Sequence, residues 1–312
     1  MEVGRAGKPR RKSKYNNPLK RKIFIVCMLA IPMANFCVFT IYANLGGVFI
    51  SLFQFDGTRE YFVGFENYAK FFRLFWVNSY DQVILTSFAW LPVVLLVMFP
   101  LAILFSFFFY KKVPFAKISI ILLFLPNIIP AAVMSEFYRR MWDAGGGVVQ
   151  PGLFTQMFAF VTGREINWLV SYDYVHWALY IYTVWFGFGV NSLLIWGAMS
   201  RIPQELVEAA EIDGANLFVE FTRITVPVIW PTLSIVILMY LMTPFTLFSQ
   251  PLMLAQNGQY GTTTLALLAM NEIRRPDPYY ASAIYIMIAC VSIPLSILAR
   301  KGMSKMFTVV EI

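Results

Sequence analysis

The stretch ELVEAAEIDGANLFVEFTRITVP, Glu205 to Pro227, is carboxylate-rich and amphiphilic and lies between two long apolar runs. The chemistry it offers is recognition. Pro203 fits a first helical turn, where its missing N–H costs nothing. Glu205 comes early enough to meet the positive end of the helix dipole. Leu206, Ala209 and Ala210 share one face by i, i+3 and i+4 spacing, and Glu208 and Glu211 share another. Gly214 suits the left-handed turn that ends a helix. Small Ala209 and Ala210 permit close approach of a partner surface, and Glu208 offers that partner a carboxylate. A polar helix so placed cannot lie in lipid. It must sit at the membrane surface, and displacing it moves the spans on either side.

Other chemistries lack their residues. No GxxxxGK[ST] occurs, so no loop is available to cradle ATP phosphates. HExxH and paired CxxC spacings are absent, and His176 is the single histidine, beside Trp177, which excludes a His-rich metal site. Cys27, Cys37 and Cys290 fall inside apolar runs and read as small packing residues rather than a disulfide framework. Charged residues within the runs are few, with Glu136, Arg139 and Arg140 near the end of the third. Such scarcity argues against a proton relay and against intramembrane catalysis. The chain reads as a non-enzyme with no metal and no cofactor of its own. Energy must then come from a partner.

Hydrophobic residues are 59% of 312 and charged residues 13%, far from a soluble domain. A hydrocarbon core of about 30 Å takes roughly 20 apolar residues as a helix. Six runs qualify, at 23–50, 82–110, 118–138, 174–199, 224–248 and 280–299. The fold class is therefore an all-α membrane protein with six transmembrane helices. The first run is long and no clear small-x-small cleavage site follows it, so it reads as a span and not a signal peptide. Most of the 25 basic residues fall on one alternating set of segments. These are the tail from Arg5 to Lys22, Lys111, Lys112 and Lys117, Arg201 and Arg223, and Arg300, Lys301 and Lys305. The positive-inside rule puts both termini and the 205–227 loop in the cytoplasm. The basic tail next to a span suits anionic lipid better than nucleic acid.

The outside loops are predicted to hold an amphipathic surface helix from Phe65 to Trp76 and a glycine run at Gly145-Gly146-Gly147, a re-entrant turn or a mobile connector. A further polar loop covers 256–279. Pro92, Pro100, Pro126 and Pro130 bend spans two and three, for packing or for hinging around a cavity. No internal repeat is visible. Boundaries follow as a basic tail 1–22, a first span 23–50, an outside loop 51–80, a six-span core completed by 81–300 and a tail 301–312.

The order Pro203, Glu208-Ala209-Ala210, Asp213-Gly214-Ala215 and Ile224-Thr225-Val226-Pro227 resembles the EAA loop of binding-protein-dependent ABC importer permeases. Phe62-Val63-Gly64-Phe65-Glu66-Asn67-Tyr68 is similar to an element before span two in the carbohydrate permeases of that family. So are Leu123-Phe124-Leu125-Pro126, Ile166-Asn167-Trp168-Leu169, Trp185 and Tyr280-Ala281-Ser282-Ala283. Glu211 departs from the usual basic or neutral residue, and Gly258-Gln259-Tyr260 from Gly-Gly-Pro. The resemblance implies a type I importer transmembrane domain over 81–300 in a bacterial or archaeal inner or plasma membrane. It implies a second, similar permease, two ATPase subunits that carry ATP and Mg, an extracytoplasmic sugar-binding protein, and alternating access. Coupling to the ATPase then falls to Glu208, Ala209, Ala210, Asp213, Gly214 and Ala215.

Spans four to six line the cavity in that family. A sugar crossing there needs hydroxyl partners and flat apolar faces together, because unpaired hydroxyls in a dry site are costly. Span four supplies Trp185, Phe188 and Asn191 near Gly187 and Gly189. Span five supplies Thr243, Phe245, Thr246, Phe248, Ser249 and Gln250 around Pro244. Helix–helix packing is the competing reading of each. The rival functions are a self-sufficient secondary carrier, which needs an intramembrane ion site, and a lipid-linked glycosyltransferase, which needs a clustered acid, base or metal site. Neither is found.

Overall fold

The structure, a computed structural model, describes residues 18–77, 80–145, 150–275 and 277–306. The basic tail before Pro18 and the glycines at 146 and 147 lie outside them. In chain order, α1 (Leu19–Ser51) leads into a hairpin of β1 (Phe53–Phe55) and β2 (Glu60–Phe62), then α2 (Glu66–Val77) and α3 (Tyr80–Tyr110). Next come α4 (Ala116–Ile128), α5 (Ala131–Met141), α6 (Leu153–Thr162) and α7 (Val175–Met199). The chain continues with α8 (Gln204–Ile212), α9 (Leu217–Val228), α10 (Trp230–Leu241), α11 (Thr243–Thr246) and α12 (Ser249–Leu254). It closes with α13 (Leu265–Arg274) and α14 (Pro278–Met303).

Four of the six expected spans, α1, α3, α7 and α14, are single helices long and apolar enough to cross a membrane. In lipid an apolar run must close its own backbone hydrogen bonds, and a helix does so within the segment. The other two are not the single spans that 118–138 and 224–248 suggest. α4 and α5 meet at 102°, and α9 and α10 at 78°. The first break lies at Ile129, which is extended (ψ 137°) because the ring of Pro130 crowds the helical conformation of the residue before it. Pro126 stays inside α4. At the second break Ile229 leaves the helix (ψ 5°), and Pro231 in the first turn of α10 has no N–H to carry the ladder back.

Other prolines are absorbed. The rings of Pro100 and Pro227 would crowd the carbonyls of Leu96 and Arg223, four residues earlier. Both carbonyls lie in wide π turns, Val93–Met98 and Phe221–Thr225, which open the ladder locally without ending the helix.

Close packing of α7 uses its glycines. A Cβ at Gly189 would come within 2.6 Å of the Leu123 carbonyl oxygen on α4, and one at Gly187 within 2.5 Å of Met98 Cε on α3. The buried core runs along α3, α7 and α10, through Val94, Met98, Ile195, Met199, Leu233 and Val236. A second, aromatic core joins α5, α7 and the segment before α7, through Tyr138, Trp142, Leu169 and Tyr182. Cys27, Cys37 and Cys290 do not pack in the chain's core as expected; all three face outward.

Contacts between loops follow the alternation read from the basic residues. At one end Lys111 after α3 meets Glu220 in α9, and Trp230 Nε1 donates to the Met303 carbonyl. At the other, Lys70 in α2 pairs with Asp277, and Tyr279 Oη donates to Glu60. The predicted surface helix is α2, with Phe65 and Phe72 exposed and Phe71 buried. The FVGFENY element sets its angle. Val63 and Gly64 amides donate to the Leu52 carbonyl, and buried Asn67 donates from Nδ2 to the carbonyls of Ser51 and Phe53, both at 2.8 Å.

Candidate functional site

The 205–227 loop folds as its sequence predicts at both ends. Pro203 caps α8 from an extended conformation (ψ 130°), and Glu205 lies in the first turn. At the far end Asp213 is the last near-helical residue and Gly214 turns left-handed, with φ +77°. The Gly214 amide donates to Glu211 at 3.1 Å and the Ala215 amide to Ala210 at 2.9 Å. Those two bonds are a Schellman motif, and they satisfy carbonyls that the helix end leaves free. Asn216 then caps α9, its side chain accepting from the Val219 amide at 2.9 Å.

The alanine pair divides its work. Ala210 is buried with Val207 against the chain, whereas Ala209 faces out. The expected face of Leu206, Ala209 and Ala210 is thus split, because the inner stripe follows Val207 and Ala210 by i+3. The outer surface carries Glu205, Leu206, Glu208, Ala209 and Ile212, and Ile212 is 86% exposed. Leu217 and Phe218 of α9 continue it, at 63% and 73%. The apolar tip is thus exposed and rimmed by carboxylates.

Beneath this loop the contacts are of another kind. Glu220 has only 4% of its side chain exposed and is met by Lys111 Nζ at 2.6 Å. Phe221 packs edge-on against Phe107 of α3 at 5.0 Å. Sequence reasoning missed this pair. The signal was a carboxylate inside the apolar string Leu217-Phe218-Val219-Glu220-Phe221.

The expected substrate-path residues fall into separate neighbourhoods. Trp185 is half-buried and stacks on Tyr138 at 6.2 Å, with Tyr182 beside both. Asn191 donates from Nδ2 to Tyr240 Oη on α10, at 2.9 Å. The side chain of Phe188 lies outside the described residues. Thr243 and Phe245 belong to α11, the short piece after α10. Phe245 is buried and meets Phe88 edge-on at 5.7 Å, on an apolar groove shared with Ile284, Met287 and Cys290. Its ring contact is with Phe88 of α3, not with Trp185. Leu247 between α11 and α12 is extended, and its carbonyl accepts from Thr264 Oγ1. Phe248 is 37% exposed, and Ser249 Oγ donates to Gln250 Oε1 at 2.9 Å.

α12 packs on α5 and α7, and Ser135 Oγ lies 3.3 Å from Tyr182 Oη between them. Tyr240, Tyr138, Tyr182 and Ser135 are therefore polar groups of this region that the sequence reading omitted. Tyr182 and Trp185 share a helix face by i+3 spacing, which was a usable signal. Backbone that leaves the helix within a span is tolerated where it is buried or lines a cavity. Gly187 and Gly189 serve helix packing instead. Glu136 is held by Arg139 Nε at 2.9 Å and Arg140 Nε at 3.0 Å, a paired carboxylate rather than a lone proton carrier.

No family model matches the chain. It is 27% identical over 296 residues to the trehalose/maltose transport system permease protein MalF of Thermococcus litoralis, covering 93% of this chain and 95% of the relative. Among solved structures it resembles a bacterial ABC transporter involved in the import of the acidic polysaccharide alginate. The TM-score is 0.77 at 19% identity, over 92% of this chain and 97% of the other. A bacterial alginate ABC transporter in complex with an alginate pentasaccharide-bound periplasmic protein gives 0.75, also at 19%, over 92% and 96%. In sequence the chain is thus similar, end to end, to a permease protein of a sugar transport system, and its fold is that of chains in solved bacterial ABC importers.

Proposed function

We propose that this chain carries a sugar or oligosaccharide across the membrane by alternating access, driven by ATPase subunits that dock on α8. The observation that carries this reading is the exposed tip made by Leu206, Ala209, Ile212, Leu217 and Phe218 with Glu205 and Glu208 at its rim. The loop that presents it is rigidly ended at Gly214 and continuous with α9, so a push at the tip is felt in the fifth span. Glu208, Asp213, Gly214 and Ala215 lie at this surface, and Ala210 braces it from within. ATP and Mg belong to the partner. The termini and α8 face the cytoplasm, a second permease completes the path, and an extracytoplasmic binding protein delivers the sugar.

On this reading the path is assembled from separate patches: Trp185 with Tyr138 supplies flat apolar faces, while Asn191, now bonded to Tyr240, and Thr243, Ser249 and Gln250 on the short helices after α10 supply hydroxyl partners. Such a pairing of ring faces with amides and hydroxyls suits a pyranose, which has both. The names of the relatives range from trehalose and maltose to alginate, so the particular sugar is set elsewhere, chiefly in the binding protein. A thermal-shift screen of that binding protein against mono- and oligosaccharides identifies it. The test of the function is uptake of that sugar into vesicles holding the assembled complex. Uptake should need ATP and the ATPase subunits, and Glu208→Lys should abolish it with the protein still inserted. Uptake driven by an ion gradient without ATP would refute the reading.

A further inference from the structure

We propose that the Lys111–Glu220 ion pair is a positioning latch that carries displacement of the α8 loop into α3, and through α3 to the residues around Asn191. The inference rests on the coupling role proposed above. α8 itself stands off from the end of α3. A cavity of about 410 Å3 lies between them, lined on one side by Tyr110, Lys111 and Lys112 and on the other by Gln204 and Glu211. The connection therefore falls to α9. There Phe221 rests on Phe107 at 5.0 Å, and Glu220 binds Lys111 at 2.6 Å. Glu220 closes the first turn of α9, directly before the π turn at Phe221–Thr225 and ahead of the 78° bend. It is thus fixed at the place where the loop becomes a span.

α3 is in turn tied to α7 by Ser106 Oγ, which donates to the Ser192 carbonyl at 2.7 Å. Ser192 follows Asn191, whose amide holds Tyr240. The line from loop to path is continuous. An aromatic contact alone can slide. Glu220 is buried and Lys111 partly exposed, and their ion pair resists separation because parting it leaves a desolvated carboxylate without compensation. Lys111 follows directly after α3 and Glu220 sits in α9, so the pair makes the two ends move together. A merely static anchor would hold the same atoms, and the two roles differ in what ATP does to the path.

The test uses the full complex of both permeases, ATPases and binding protein in vesicles. Phe248→Cys and, separately, Thr243→Cys are placed in a parent lacking Cys27, Cys37 and Cys290. Maleimide reactivity is read with and without ATP plus vanadate, alongside ATP hydrolysis. In the parent, trapping should change the labelling rate. Lys111→Met and Glu220→Gln should each shrink that change about five-fold with ATP hydrolysis retained, in the range of single-residue effects on coupling. The swap Lys111→Glu with Glu220→Lys should restore most of it. A full change in the single variants overturns the latch, and so does an assembled swap that does no better than they do. If neither single variant assembles, the swap decides alone: a restored change supports the latch and an absent one overturns it. No ATP-dependent change in the parent at either position overturns the coupling reading itself, and Glu208→Lys, which leaves the ion pair intact, should mimic that outcome.

Discussion

Gly214 offers the sharpest test of how α8 works. It is the left-handed residue of the Schellman turn, at φ +77°, and no atom lies within 4 Å of where its Cβ would be. Nothing need move to admit a side chain, so the cost of Gly214→Ala is the backbone strain alone, about 1–2 kcal/mol. Asp visits that conformation more readily, because its short polar side chain bonds locally. Against this, a carboxylate beside Asp213 faces the negative end of the α8 dipole, which costs about 0.3–1 kcal/mol. The two variants are then alike in stability, and neither should unfold the loop, since both bonds from Gly214 and Ala215 are backbone bonds. They differ in what they show a partner: Ala adds one methyl, and Asp adds a charge at the outer turn.

The expected result is therefore unequal function at equal assembly. Gly214→Ala should keep uptake within about five- to thirty-fold of the parent, the scale of a 1–2 kcal/mol local penalty. Gly214→Asp should lose it while the protein remains inserted. The assay is ATP-driven uptake in reconstituted vesicles, normalised to permease recovered with its ATPase. Equal loss in both variants would put the fault in the loop's backbone, and Gly214→Asp transporting as the parent would remove this turn from the interface.

Further outcomes follow from other contacts. Asn191→Leu takes the donor from buried Tyr240, a loss of about 1–3 kcal/mol. It should lower uptake and sugar-stimulated ATP hydrolysis together, and a silent Tyr240→Phe would assign the effect to sugar contact rather than to the pair. Gly189→Ala drives a methyl into the Leu123 carbonyl at 2.6 Å and should cost about 1–3 kcal/mol, read as a lower melting temperature of the purified permease. Orientation is checked by Gly214→Cys and Ser304→Cys, which should react only with membrane-permeant reagents. Thr58→Cys, Thr162→Cys and Asn257→Cys should react with impermeant ones from outside, and external labelling at Gly214→Cys would invert the topology. In the hairpin turn Asp56 Oδ1 accepts from Thr58 Oγ1 at 2.6 Å, the Arg59 amide at 3.0 Å and the Thr58 amide at 2.9 Å, which holds its carboxyl below the ordinary carboxylate range. A depressed carboxyl stabilises the turn above that range and loses its effect as pH falls through its own lower value. Protection of the Thr58 and Arg59 amides, taken relative to their intrinsic exchange rate at each pH, should be lost only there, and its loss near neutral pH would contradict the turn.

What the sequence made legible was whatever lipid and local chemistry dictate. Apolar length placed six spans, basic residues sorted the loops onto two ends, and Pro203 and Gly214 marked both ends of α8, because each of these is a property of a few neighbouring residues. What stayed hidden depends on residues far apart in the chain. Pro126 and Pro130 look alike in LFLPNIIP, yet only the second breaks the helix, because there α5 turns away to pack its aromatic face on α7. The substrate-path residues were named by type, and type does not say which way a broken helix points them: Phe245 turns toward Phe88 and an apolar groove, while Asn191 spends its amide on Tyr240. Glycines at 187 and 189 were read beside the path and prove to be where α7 touches α3 and α4. Glu220 is the clearest case. A carboxylate in an apolar string is either exposed or compensated, and its compensating lysine lies across the fold at the end of another span. The sequence reading could use Lys111 only as a topological charge. Joined to Glu220, it becomes the place where a surface loop grips a transmembrane helix.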